Sequence, residues 1–200
     1  MRIKVLLLIL ILVAPGCLSS KELVEYNGRD LDGSPVLMFT LEESNGEIWN
    51  LTDQIGNTVV LSFMFTRCDT TCPVTSENIK WVKNQLTSEE LAVISFVSVT
   101  VDWKYDTAEK LQNWTEERGY DWPHLTGSES ALEEVHYAYG VAPMEVEDDS
   151  NDEYDVVHTT PTYIIDKDSN GRVVWSDFDF PVDLFLEDLR KVIEKCPTDC

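Results

Sequence analysis

The 200-residue chain carries 37 Asp and Glu residues against 15 Lys and Arg, a formal net charge of −22 at pH 7. This length suits one domain plus an export or anchoring segment. The charge repels phosphate backbones, which excludes nucleic acid as a partner, and it favours cationic or metal-bearing partners. Adaptation to a salty medium explains the same charge equally well.

The N-terminus predicts an export signal over residues 1–16. Arg2 and Lys4 precede nine aliphatic residues, Val5–Val13, and this run is well short of the roughly 20 residues that span a membrane. The Ala-Pro-Gly-Cys ending resembles a lipobox, in which Cys17 carries the lipid. We therefore expect an exported protein, anchored to the outer face of the cytoplasmic membrane. A simple cleaved signal or an uncleaved anchor is the alternative.

The first half of the chain predicts a tether followed by strands. Residues 17–34 are polar and weakly patterned, as expected of a tether. Pro35–Leu41 is predicted to be a strand that pairs through a turn with Glu47–Trp49, forming an N-terminal hairpin extension. Val59–Phe65 is an apolar run typical of a strand buried on both faces, and Ala92–Val101 is a second long strand.

The second half alternates helices, loops and strands. Asp106 and Glu109 have the spacing of a capping box, and Gly119 is expected to end the helix that follows. The run Glu145–Asp155 has seven acidic residues and predicts a solvated loop. Val156–Ile165 is predicted to be a third strand.

A hairpin turn at 168–171 and a helix beginning near Pro181 complete the pattern. Together these elements predict an α/β fold, a mixed sheet flanked by helices. One domain over residues 35–195 accounts for it, followed by a Cys-containing tail at 196–200.

The most chemically informative stretch joins a buried strand to a helix through two cysteines. Cys68 and Cys72 are separated by three residues, and Pro73 suits the first turn of a helix. The positive end of that helix is expected to lower the thiol pKa and favour thiolate, the form that attacks disulfides and binds metals. Arg67 adds a second positive charge nearby.

The chain has three histidines, and one of them suits a metal site with the two cysteines. Two thiolates and an imidazole form a soft set suited to Cu(I), and they also tolerate Cu(II) or Zn. His136 is predicted to be a surface side chain of a helix, and His124 has no partner suggested by its spacing. His158 stands at the start of the last long strand and is the candidate third ligand.

Several segments together resemble the Sco (Sco/SenC) copper-chaperone family. They are Phe-Met-Phe-Thr-Arg-Cys-Asp-Thr-Thr-Cys-Pro at 63–73, Ser-Val-Thr-Val-Asp at 98–102 with Asp106-Thr107, and His158-Thr159 followed by Tyr-Ile-Ile-Asp at 163–166. The resemblance runs from about Phe39 to the final helix and implies a thioredoxin-like fold.

The resemblance further implies that Cys68, Cys72 and His158 bind copper. Family members serve the binuclear copper centre of cytochrome c oxidase subunit II by delivering copper, by reducing its cysteines, or by both. Asp102 matches a family segment near the site and is assigned to support rather than ligation. The alternative is that Asp102 simply ends a strand and caps the next turn.

Departures from the family pattern keep other functions open. Asp69 replaces the usual Pro after the first cysteine, and Pro161 stands where thioredoxin-like oxidoreductases place a cis-Pro beside their dithiol. A thiol–disulfide oxidoreductase that uses Cys68 and Cys72 to reduce partner cysteines is therefore the main alternative. A peroxidase with one activated cysteine and a stapling structural disulfide are weaker alternatives.

Cys196 and Cys200 lie outside the resemblance. A terminal disulfide that closes a small ring is the simplest interpretation. A second metal or electron relay to the main cysteine pair is the alternative.

Overall fold

The computed structural model describes residues 24–148 and 153–195. The strands in these ranges are β1 (Arg29–Pro35), β2 (Thr40–Glu43), β3 (Ile48–Asn50), β4 (Thr58–Met64), β5 (Ile94–Thr100), β6 (His124–Thr126), β7 (Met144–Asp148), β8 (Glu153–Val157), β9 (Thr162–Ile165) and β10 (Asn170–Trp175). The α-helices are α1 (Thr71–Asn84), α2 (Ser88–Leu91), α3 (Ala108–Arg118), α4 (Glu129–Ala138) and α5 (Val182–Lys195).

Eight strands form one mixed sheet in the order β1-β10-β9-β4-β5-β6-β2-β3. The central strand β4 runs parallel to β5 and antiparallel to β9. All seven residues of β4 are buried, as expected for the predicted strand Val59–Phe65. Helix α1 packs against α5, and α3 packs against β6. The predicted fold class, a mixed sheet flanked by helices, is confirmed.

The predicted tether at 17–34 is too long at its C-terminal end. Arg29–Pro35 forms β1, which pairs antiparallel with β10 at the edge of the main sheet. Just before it, the backbone and side-chain amides of Asn27 both donate hydrogen bonds to the buried Asp188 carboxylate on α5. The alternation of apolar and polar residues does not reveal β1, because this exposed edge strand consists mostly of polar residues. The strand predicted from Pro35 begins only at Thr40.

The predicted acidic loop and third strand are both wrong in part. Within the acidic run, β7 and β8 pair as an antiparallel hairpin, with Met144 opposite Val157. The third strand is interrupted, because β8 ends at Val157 and β9 begins at Thr162. His158 therefore lies in a connection between two strands rather than within one.

The predicted capping box of α3, Asp106 with Glu109, is wrong. Thr107 is the N-cap, and its side chain accepts a hydrogen bond from the backbone N–H of Lys110. Asp106 is turned inward and has another role, described below. Gly119 ends the helix in the left-handed conformation at φ 64°, as predicted.

Four predicted features lie outside the described residues. They are the export signal at 1–16, the lipid site at Cys17, and the two terminal cysteines, Cys196 and Cys200. In the described ranges, every helix is too short or too polar to cross a membrane.

Candidate functional site

The sheet topology brings three separate segments of the chain to one edge. Because β4 and β5 are parallel, the loop at 65–70 and the residues after Thr100 leave the sheet on the same side. Strand β9 is antiparallel to β4, with Tyr163 opposite Leu61, so the residues just before β9 lie at that side too. The connection at 158–161 therefore arrives beside the cysteine loop.

Cys68 and Cys72 are both buried, and both are free thiols within residues 24–148 and 153–195. Cys72 is the second residue of α1, and its backbone N–H donates a hydrogen bond to the Cys68 sulfur at 3.2 Å. The Thr71 hydroxyl lies 3.3 Å from the same sulfur. The Cys68 sulfur thus accepts one of the backbone N–H groups that a helix leaves unpaired at its start.

The two thiols have opposite acidities. The hydrogen bond from the Cys72 thiol lowers the pKa of Cys68 to about 5, and bonds from Thr71 and from the backbone at Cys72 and Thr70 add to this against the effect of burial. Donating that hydrogen bond, together with burial, raises the pKa of Cys72. At neutral pH the pair therefore holds a Cys68 thiolate beside a protonated Cys72 thiol.

Arg67 is not directed at the thiols, although the sequence predicted a second positive charge beside them. Its guanidinium donates to the Asp102 carboxylate at 2.6 Å and to the backbone carbonyl of Tyr154 at 2.8 Å. The guanidinium also lies between two aromatic rings, 4.6 Å from the Tyr105 centroid and 4.3 Å from that of Tyr154. The Tyr154 hydroxyl also donates to Asp102 at 2.6 Å. Tyr154 of the β7–β8 hairpin is therefore bonded both to Arg67, the residue before Cys68, and to the carboxylate that Arg67 binds.

Asp106 anchors the start of the cysteine loop from inside the core. Its buried carboxylate accepts hydrogen bonds from the Thr66 backbone N–H at 3.0 Å, from the Thr66 hydroxyl, and from the Thr100 hydroxyl at 2.5 Å. Burial raises the pKa of Asp106 against the effect of these bonds. Asp106 therefore supports the cysteine loop by holding Thr66, two residues before Cys68.

His158 lines the same cleft as Cys68 and has one ring nitrogen without a described partner. Its Nδ1–H donates to the carbonyl of Thr159 at 2.7 Å, which leaves the lone pair on Nε2. Nε2 is buried and has no hydrogen-bond partner within residues 24–148 and 153–195, and burial lowers the pKa of the ring. The ring packs edge-on against Phe65 at 5.7 Å, and the cleft of about 740 Å³ is lined by both Cys68 and His158.

The other two histidines lie elsewhere, and one prediction about them is wrong. His136 is buried, not a surface side chain, because α4 turns it inward, where its Nε2 hydrogen-bonds the carbonyl of Thr100 at 2.9 Å. His124 is fully buried in β6, where Nδ1 hydrogen-bonds the carbonyl of Trp122 at 2.9 Å. Desolvation lowers the pKa of His124 to about 4.

The structure brings the predicted site residues to one edge but does not close them into a metal site. In residues 24–148 and 153–195, no three Cys, His, Asp or Glu side chains are arranged to hold a metal ion together. The peptide bonds of these residues are all trans, so Pro161 is not the cis-Pro of an oxidoreductase.

Sequence reasoning missed two aromatic residues at the site, Tyr105 and Tyr154. Tyr154 lies in the acidic run and was assigned to solvent with its neighbours. The alternation of Tyr154 and Val156 with acidic residues was the available signal, since period-two spacing indicates a strand with one buried face.

The SCO1/SenC family model matches residues 30–194. The chain belongs to the SCO1/SenC family. A SCO2-like protein of Rickettsia prowazekii is 33% identical over 135 residues, which cover 67% of this chain and 64% of that protein. The SCO1/SenC chain therefore spans less than two thirds of this relative's length.

Solved structures of Sco proteins share the fold of this SCO1/SenC chain. Apo Sco1 of Thermus thermophilus is 26% identical, with a TM-score of 0.73 over 84% of this chain and 96% of that one. Bradyrhizobium japonicum ScoI, solved with copper bound, is 20% identical, with a TM-score of 0.70 over 80% of this chain and 99% of that one. These likenesses confirm the predicted thioredoxin-like fold.

Proposed function

We propose that this SCO1/SenC chain binds copper through Cys68, Cys72 and His158 and passes it to a partner protein. The observation that carries the proposal is that His158, whose buried Nε2 has no hydrogen-bond partner among the described residues, lines the same cleft as Cys68. A thiolate, a second sulfur and a neutral imidazole form a soft donor set that suits Cu(I). A related ScoI has been solved with copper bound, which supports the choice of metal.

The proposed partner is the copper-accepting subunit II of cytochrome c oxidase or another thiol protein of this kind. The Sco family is a family of cytochrome c oxidase assembly proteins, which supports this partner. Three donors suit transfer, because a thiolate of the partner can enter before one of the three leaves. We further propose that the chain is exported and held at the outer face of the cytoplasmic membrane by a lipid at Cys17.

We further propose that copper loading moves one of the donors, since the described donors are not arranged as a three-donor group. We assign the movement to the connection at 158–161. Its hydroxyl groups reach the rest of the domain through two long-range hydrogen bonds, from Thr159 to Gly140 at 2.9 Å and from Thr160 to Ser176 at 3.4 Å. The cysteine loop, in contrast, is fixed to the buried Asp106.

Anaerobic Cu(I) titration of the reduced chain, against a competing chelator, tests the proposal. Wild-type protein is expected to bind one Cu(I), and Cys68→Ser and His158→Ala are expected to bind it at least about tenfold more weakly. His136→Asn is the matched control, because this imidazole hydrogen-bonds the Thr100 carbonyl outside the cleft that Cys68 lines. Unchanged affinity in His158→Ala would rule out the site as proposed.

The thiol asymmetry favours a second candidate function, reduction of a partner disulfide. In this reaction the Cys68 thiolate attacks one sulfur of the partner disulfide and displaces the other as thiolate. Cys72 then loses its proton and attacks Cys68, which releases the second partner thiolate and leaves a Cys68–Cys72 disulfide. A Cys72→Ser variant should accumulate the mixed disulfide through Cys68. Equal reduction by His158→Ala and wild type would separate this activity from copper binding.

A further inference from the structure

The β7–β8 hairpin presents an apolar face to solvent. Its pairing sets Met144 opposite Val157 and Val146 opposite Asp155, so these four side chains share one face. Met144, Val146 and Val157 are 62%, 45% and 52% exposed. The other face carries Val156, which is buried against the domain. We call Met144, Val146 and Val157 the outer hairpin face.

An exposed apolar face on a hairpin of this kind needs an explanation. A two-stranded sheet that packs one face on a domain usually carries polar residues on the other. Here three neighbouring apolar side chains take that place, beside strand edges that invite association with other chains. Contiguous exposed apolar residues of this kind mark binding surfaces for other proteins.

The outer hairpin face is continuous with the cleft that holds the thiol. Val157 and Asp155 line this cleft together with Cys68 and His158. The rim also includes Phe178, which is 41% exposed. A protein seated on the outer hairpin face would therefore contact the residues that hold and release copper.

The charge of the hairpin defines what kind of protein it binds. The two strands contain five acidic residues among ten and no Lys or Arg. Lys104 pairs with Glu145 from the domain side, while Asp155 lies on the outer side. A second copy of this chain would bring a hairpin of the same charge and be repelled, whereas a surface edged by Lys and Arg would be attracted.

We propose that the outer hairpin face is the docking surface for the copper-accepting partner. That partner presents an apolar patch with a rim of Lys and Arg beside its own metal-binding cysteines. This inference rests on the proposed function. It adds where the partner docks and which kind of partner surface is recognised. Apolar contact supplies the affinity, and the acidic residues steer the partner and exclude a second copy.

The test measures docking without copper. The full chain, reduced and metal-free in detergent, is titrated calorimetrically with the purified copper-accepting domain of subunit II of cytochrome c oxidase from the same organism. The double variant Met144→Ser/Val146→Ser is expected to bind about tenfold more weakly than wild type. Ile48→Ser is the matched control, since Ile48 is 66% exposed in β3, the far edge strand of the main sheet. Wild-type binding should weaken in high salt.

Three results would overturn the docking surface: equal binding by wild type and the double variant, no binding by wild type, or wild-type dimers that the double variant loses. Copper titration of the isolated chain keeps the two proposals separable. A chain that docks through this face but binds no copper contradicts the proposed function alone. A chain that binds copper normally but does not bind the copper-accepting domain of subunit II contradicts the docking surface alone.

Discussion

The two halves of the cleft are built in different ways. The cysteine loop at 65–72 is bound to the core through the buried Asp106 and through the start of α1. The opposite side consists of the β7–β8 hairpin and the connection at 158–161, which are held to the domain by Arg67, by the buried Val156 and by hydroxyl groups of the connection. In the proposed function, the side anchored by Asp106, called the rigid side below, carries both sulfurs, and the other side would supply the imidazole and face the partner. This division would suit a site that has to release its copper to a partner.

Removing the anchor of the rigid side should have the largest effect on stability. Asp106→Ala leaves the Thr66 N–H and two hydroxyl groups without their acceptor, which we expect to cost about 3 kcal/mol of unfolding free energy. Urea denaturation measures this value. Asp106→Asn should cost less, because burial already disfavours the charge and the amide oxygen still accepts. A loss below about 1 kcal/mol for Asp106→Ala would show that the loop is anchored by other contacts.

Removing Arg67, which bonds the hairpin side to the rigid side, should have an intermediate effect on the free energy of unfolding. Arg67→Met leaves the buried Asp102 without its cation, and we expect a loss of about 2–3 kcal/mol. Lys104→Met is the matched control, because its pair with Glu145 is exposed on both partners and should contribute under about 1 kcal/mol. Hydrogen exchange in the β7–β8 hairpin should rise more in Arg67→Met than in Lys104→Met, because the Lys104–Glu145 pair is exposed and holds the hairpin more weakly. Equal exchange in both variants would contradict the claim that Arg67 holds the β7–β8 hairpin to the domain.

The smallest predicted effect is a shift in the pKa of the Cys68 thiol when Cys72 is replaced. Because the folded pKa of Cys68 is about 5, below its ordinary value, its alkylation rate should rise with pH around 5 and level off well below pH 8. Mass spectrometry of the Cys68 peptide follows the reaction. Cys72→Ala removes the strongest hydrogen bond to the thiolate, so its midpoint should move to higher pH. The same midpoint in both proteins would show that the helix terminus alone sets the pKa.

The sequence predicted the cysteine side of the cleft, β4 and α1, better than the side formed by the β7–β8 hairpin. Apolar runs and the Pro after Cys72 placed β4 and α1, because buried strands and helix starts have strong local signals. The hairpin was mistaken for a loop, since five carboxylates obscured the alternation of Tyr154 and Val156. The bonds of Arg67 and Asp106 cross about 35 to 90 positions of the sequence, and no local pattern records them. His136 was misplaced because the inward face of α4 carries a polar residue.

X-ray absorption at the copper edge, on copper-loaded wild type and His158→Ala, tests the central claim most directly. We predict two sulfur donors and one imidazole nitrogen around Cu(I) in wild type. In His158→Ala the nitrogen should be lost and both sulfurs should remain. Identical spectra from the two proteins, or a wild-type site without nitrogen, would contradict the account.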